Sequence, residues 1–434
     1  MKIHGRADVQ GESNTIRTRR YLETCNMEIS LENYEGKQRK RENAFQILSK
    51  RNSYPEGLQL SISSEELQQI FLSSPLEDFR SLNQESVPGN IDDWDYNVLQ
   101  YDITTTRQHA FLLFQSLNLI ETFALERAKL MCFIKRISMV YRSNNPFHNW
   151  KHGMSTAQAV YFLISQTSIV SAGLESIHTL ALLTAALGHD LDHPGTNNAF
   201  QVEAKTSLAL RYNDSSVLEN HHASLLWQLL NTEGSDVFSH LRGKEKRLRQ
   251  LTISAILGTD MSQHKNLISE FENMTIPVLP CDSSIGGKWI ANTNEEKALL
   301  TQVLMHAADL SSPARKWHIC SNWSQRINEE FNAQVEREKS LGLPFAPFMV
   351  TRSEEERGRG EMGFMKFAIR PTWNPLISVF PDLDFILDNI SENLSGFERM
   401  TEKQPQELLE QREKQPRRSL FEIDETADVS VTCP

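Results

Sequence analysis

The stretch ERAKLMCFIKRISMVY, Glu126–Tyr141, carries the reading of the fold. Leu130, Cys132, Phe133, Ile137 and Val140 recur at i, i+3, i+4 and i+7 spacings, which place apolar side chains on one stripe of a helix. A half-buried strand would instead alternate apolar and polar residues. The same helical texture runs outward in both directions. HAFLLFQSLNLIETFAL (109–125) lies upstream. Downstream come GLESIHTLALLTAALG (173–188), SVLENHHASLLWQLLN (216–231), LTISAILGTDMSQHKNLISEFENM (251–274), EEKALLTQVLMHAADLSS (295–312) and CSNWSQRINEEFNAQVEREKSLG (320–342). Strand-like alternation is scarce and no internal repeat is visible. Helix after helix with short joins predicts a compact all-α domain spanning 91–400.

The flanks differ. Residues 1–90 contain basic clusters, IRTRRYLET and GKQRKRENAFQILSKRNS, in polar sequence. Within them SISSEELQQIFLSS carries a capping-box pattern, Ser63 to Glu66, ahead of Leu67, Ile70 and Phe71. This predicts one short helix in a largely flexible leader. Residues 401–434 are charged and Gln-rich and read as a flexible tail. Ser53 and Ser419 follow basic residues in these flanks, so a protein kinase acting on them is a candidate partner.

Composition narrows the function classes. The 434 residues are 39% hydrophobic and 23% charged, with a net charge of -11, which argues against nucleic acid as the main partner. No apolar run reaches the ~18 residues of a membrane span. The best candidate, IHTLALLTAALGHD, is short and ends in charge. The start, MKIHGRADVQGES, lacks a signal peptide's apolar core, and Lys2 stands where myristoylation needs glycine. The final VTCP is no prenylation box. Five scattered cysteines without CxxC spacing suggest free thiols in a reducing, cytoplasmic setting.

Chemistry concentrates in three places. NNPFHNWKHGMSTAQA, Asn144–Ala159, sets His148 and His152 four residues apart, which on a helix gives them one face. ALGHDLDHPGTNNAF supplies His189 and Asp190 at the end of an apolar helix, and VLMHAADLSSP supplies Asp309 in the same kind of place. Buried carboxylates are costly unless paired or metal-bound, and imidazole with carboxylate suits Zn and similar ions. A lone His or a lone HD pair is unremarkable. The combination HxxxH, HDxDHPG and a buried AD is the signal.

These motifs carry a resemblance. FHNWKH, HDLDHPGTNNAF, SVLENHH, TDMSQH, ADLSSP and GFMKF occur in the order and at the approximate spacing of class I cyclic-nucleotide phosphodiesterases, across roughly 91–400. The resemblance implies an all-helical fold and hydrolysis of the 3′ phosphoester of cAMP or cGMP with two divalent metals, Zn and Mg (or Mn). By position His152, His189, Asp190 and Asp309 match the Zn ligands, with Asp190 also reaching the second metal. His148 matches the general acid and Glu219 the carboxylate that holds it. Such cations bring the pKa of water toward neutrality, and an imidazolium suits protonation of a leaving alkoxide. His193 reads as a supporting residue one turn beyond His189, and His221 and His222 as structural.

Ile327 and Phe364 match a purine clamp. Where the family places a glutamine beside the base, this chain has Glu361, and Ser312 stands where cAMP-directed members often have Asn. Ionised Glu only accepts hydrogen bonds, whereas Gln both donates and accepts. Acceptance from the adenine amino group leans the expectation toward cAMP. Two other readings remain beside this one. One is a His/Asp-metal phosphohydrolase acting on another nucleotide, against which the clamp pair argues. The other is a catalytically impaired nucleotide-binding scaffold, against which the intact ligands and His148 argue.

Overall fold

A computed structural model of the chain describes residues 62, 64–72, 90–275 and 289–402. The expected flexibility of the leader and tail, and the candidate sites Ser53 and Ser419, fall largely or wholly outside them, as does Ser63 of the capping box. The helices are α1 (Ser64–Leu72), α2 (Ile103–Ser116), α3 (Leu119–Thr122), α4 (Arg127–Val140), α5 (Trp150–Gln166), α6 (Ser176–Gly188), α7 (Asn198–Glu203) and α8 (Ser207–Tyr212). They continue with α9 (Val217–Leu230), α10 (Glu245–Leu257), α11 (His264–Thr275), α12 (Asn294–Asp309), α13 (Trp317–Ser340), α14 (Glu354–Phe364), α15 (Arg370–Val379) and α16 (Phe385–Thr401). Among the described residues there is no β-strand.

α6 is the centre. It is apolar on every face, and Leu180, Leu182, Leu183 and Leu187 are fully buried. A helix apolar all round belongs inside a core, where each buried leucine contributes about 1.5–3 kcal/mol. α5, α10 and α12 pack around it. This brings the α5 start and the α6 and α12 ends together.

Three boundaries differ from the periodic reading. The run 109–125 breaks at Asn118, whose left-handed φ of 54° separates α2 from α3. The run 251–274 breaks at Gly258–Asp260, where the Asp260 side chain caps the next turn. Most consequential, α5 starts at Trp150 with Asn149 as its N-cap, accepting from the Lys151 amide. His148 therefore precedes the helix and does not share a helical face with His152.

α1 belongs to the same compact unit as the helices that follow. Ile70 is buried, Leu67 packs on the main core, and the helix lies against α4. The Ile62 amide donates to Asp192 Oδ2 at 2.7 Å. This short part of the expected leader is thus core structure.

Candidate active site and metal centre

His152 sits in the first turn of α5, His189 caps the C-terminus of α6, Asp190 follows it, and Asp309 ends α12. Their ligand atoms converge. His152 Nε2 lies 3.1 Å from His189 Nε2, 3.2 Å from Asp190 Oδ2 and 3.0 Å from Asp309 Oδ1. His189 Nε2 lies 3.2 Å from Asp190 Oδ2 and 3.0 Å from Asp309 Oδ1. Ligands about 2.1 Å from one ion and roughly at right angles would stand about 3.0 Å apart, so the set fits a divalent cation.

The His189 tautomer agrees with that fit. His189 Nδ1 donates to the Ala186 carbonyl at 2.9 Å, which leaves Nε2 as a lone pair in the neutral ring. Burial opposes ionisation of Asp190 and Asp309, yet the neighbouring histidines hold both carboxyls below the usual carboxylate range. Burial likewise opposes charge on His189, and the same two carboxylates outweigh it and raise the ring's pKa. The pocket demands positive charge, which a cation supplies.

Asp190 uses only Oδ2 here. Its Oδ1 turns toward His222 Nε2 at 3.6 Å. His222 Nδ1 donates to the Leu191 carbonyl, and its buried Nε2 has no hydrogen-bond partner among the described residues. His221 is held by Asp192, which also pairs with Arg142.

His148 lies beside this cluster, its ring centroid 5.7 Å from that of His152. Its expected partner is a correction. Glu219 accepts both its hydrogen bonds from Asn198, at 3.1 and 3.0 Å, and burial followed by the nearby Asp260 raises its pKa to about 7. The carboxylate on His148 is Glu330, from α13. His148 Nδ1 donates to Glu330 Oε1 at 2.5 Å, while Oε2 accepts the Phe147 and His148 amides at 3.0 and 3.1 Å. Burial disfavours the charged ring, but Glu330 outweighs it and raises the His148 pKa to about 9. Burial likewise opposes the Glu330 charge, and His148 brings that pKa to about 2. A usable signal existed, because Ile327 and Glu330 are spaced i, i+3 on one helix face.

His193 stacks on His148, with centroids 3.9 Å apart and planes 21° apart. Burial and then the His148 charge push its pKa well down, so the stack pairs a neutral ring with a charged one. It stands in the turn after α6 rather than a helical turn on. The Asn145 amide ties the two loops, donating to the His148 carbonyl at 2.9 Å and the His193 carbonyl at 2.7 Å. Gly195 needs its φ of 70°, and a Cβ there would meet Asn145 Oδ1 at 3.0 Å.

The chain matches the 3′,5′-cyclic nucleotide phosphodiesterase family model over residues 147–390, the segment that supplies every residue of both clusters. It belongs to that family. It is 32% identical over 290 residues to the mouse (Mus musculus) 3′,5′-cyclic-AMP phosphodiesterase 4C, covering 66% of this chain and 42% of that protein. It is 33% identical over 276 residues to the human (Homo sapiens) high affinity cGMP-specific 3′,5′-cyclic phosphodiesterase 9A, covering 63% of this chain and 44% of that one. The chain thus spans less than half the length of either relative. Among solved structures it is similar to the phosphodiesterase domain of the RhoPDE fusion protein from the choanoflagellate Salpingoeca rosetta. The TM-score there is 0.68 with 35% identity, covering 75% of this chain and 98% of that one.

In this phosphodiesterase-family chain the expected base-binding residues lie on the neighbouring helices α13 and α14, which the Asn328–Glu361 hydrogen bond joins. Ile327 is half-buried on α13 and Phe364 is 37% exposed at the end of α14, where a π-helical turn, Met365–Ile369, begins. Glu361 is 8% exposed and accepts from Asn328 Nδ2 at 3.2 Å. Thr351 Oγ1 donates to Asn328 Oδ1 and thereby fixes the amide's orientation. Burial raises the Glu361 pKa despite Ser324, Arg357 and Asn328. The charged run EEERGRGE (354–361) lies within α14, and Glu361 is turned away from solvent. Cys132 and Cys320 are free and buried, and no helix among the described residues is long and apolar enough to cross a membrane.

Proposed function

We propose that this chain hydrolyses the 3′ phosphoester of a 3′,5′-cyclic nucleotide to the 5′-nucleoside monophosphate, with cAMP preferred over cGMP, in the cytoplasm. The observation that carries the proposal is the adjacency of two clusters: four convergent ligand atoms, and the His148–Glu330 pair beside them. His152, His189, Asp190 and Asp309 would hold one ion, Zn, and Asp190 Oδ1 would face a second, Mg or Mn. When bound, such ions make water a nucleophile near neutral pH and offset phosphoryl charge.

The remaining work belongs to the chain. Glu330 keeps His148 protonated and fixes its Nδ1 side, which leaves Nε2–H to protonate the leaving 3′ oxygen. His193 supports that ring by stacking. Ile327 and Phe364 would flank the purine, with Glu361 at its edge. Adenine's amino group can donate to Glu361, which favours cAMP. The test is a hydrolysis assay of cAMP and cGMP with Mg present. Turnover of cAMP above cGMP supports the proposal. Turnover of neither, with turnover of another nucleotide in the same panel, overturns it.

A further inference from the structure

Tyr141 is the residue that follows α4, buried with 4% exposure, and it has no place in the chemistry above. Its hydroxyl donates to the Leu187 carbonyl at 3.0 Å, two residues before His189. On the other side stands Gly153, next to His152. A Cβ at that position would meet Tyr141 Oη at 2.6 Å and Cζ at 2.9 Å. The ring also packs edge-on against Trp150, the first residue of α5. One phenol is therefore wedged between the two helix ends that deliver His152 and the His189–Asp190 pair. A carbonyl only accepts, so the phenol proton is committed to Leu187.

We propose that Tyr141 is a positioning residue for the metal centre: its hydroxyl holds the end of α6 against the start of α5 at the separation the ligand atoms require. The inference rests on the ligand assignment above. A metal site tolerates errors of only about 0.2 Å in ligand distance, and a single hydroxyl bonded to the α6 end and packed against Gly153 at the α5 start fixes that spacing. Gly153 is the complementary half, because only a residue without Cβ lets α5 sit on the phenol.

The rival is a purely structural hydroxyl that satisfies a buried carbonyl. Tyr161 provides the comparison. It lies on the same α5, is equally buried, and its hydroxyl donates to Asp92 Oδ1 at 2.5 Å. The 434-residue chain, Tyr141→Phe and Tyr161→Phe are stripped of metal and titrated with Zn²⁺ against a chromogenic chelator, and the metal-free proteins are melted. Tyr141→Phe should lose about 10- to 100-fold in Zn²⁺ affinity, the range for residues that orient ligands, while Tyr161→Phe keeps wild-type affinity. Equal affinity in all three, or an equal loss in both variants, overturns the proposal.

Should Tyr141→Phe fail to fold, wild type labelled with 3-fluorotyrosine replaces it. One tyrosine ¹⁹F resonance should shift with the first equivalent of Zn²⁺, and the absence of any shift overturns the proposal. Wild type that binds no Zn²⁺ at all overturns the ligand assignment itself, which is a different failure.

Discussion

Glu330→Gln isolates the ion pair that sets the charge on His148. The ring's pKa of about 9 exceeds the ordinary ~6.5 by about 2.5 units, or about 3 kcal/mol at about 1.4 per unit. The side chains are 21% and 5% exposed, so solvent screens the pair little. The folded His148 pKa is raised, so the pair's stability is full below about pH 6.5 and is lost as pH rises through about 9. Glu330 is depressed to about 2, so on the acid side the pair holds above about pH 4.5 and fails as pH falls through about 2. The introduced carboxamide would satisfy the Phe147 and His148 amides with its oxygen and turn its NH₂ to Nδ1, which favours the neutral ring. With a pKa of about 9 His148 is about nine-tenths protonated at about pH 8, and at about 6.5 it is about 3% protonated. Turnover at about pH 8 should therefore fall about 30-fold in Glu330→Gln and recover as pH drops toward about 6. Bound cations lower the pKa in both proteins and preserve the direction of the difference. The assay is kcat/KM against pH for wild type, Glu330→Gln and Glu219→Gln. A Glu330→Gln profile parallel to wild type, reduced equally at every pH, refutes the reasoning, and so does a limb shift in Glu219→Gln.

Metal binding and acid catalysis should separate. Asp309→Ala is expected to lose bound Zn and most activity, whereas His148→Ala keeps Zn and loses turnover by roughly 10²–10⁴-fold; metal analysis of both proteins checks this, and an empty site in His148→Ala contradicts it. Glu361→Gln replaces a buried carboxyl whose pKa is raised, so the wild-type KM for cAMP should worsen as rising pH ionises Glu361, and the variant should be flat. A mismatched buried polar pair costs about 1–3 kcal/mol, so kcat/KM for cAMP should improve roughly 5- to 150-fold where Glu361 is ionised. Unchanged kinetics on both nucleotides across about pH 5.5–8.5 removes Glu361 from base recognition.

Local pattern carried the secondary structure. The stripe on Glu126–Tyr141 gives α4 because a helix bonds only to itself, so its apolar face is written at fixed spacing in one short segment. The same holds for α6 and α12, whose polar endings supply His189, Asp190 and Asp309. Their types and places at helix ends marked them before any fold was known. Where periodicity met a turn it misled. His148 and His152 obey i, i+4 spacing, but Asn149 caps the helix between them.

The partner of His148 was not local information. Glu219 and Glu330 are both glutamates within amphipathic helical sequence, and the one that touches His148 lies 182 residues away. Only the packing of α13 against the 144–149 loop selects it. Asp192, shared by Ile62, Arg142 and His221, and Tyr141, shared by two helix ends, are of the same kind. A sequence by itself determines which faces are apolar and which side chains can ionise. Which buried charge meets which is decided when helices pack, because the energy of a pair depends on distance and burial and not on separation along the chain.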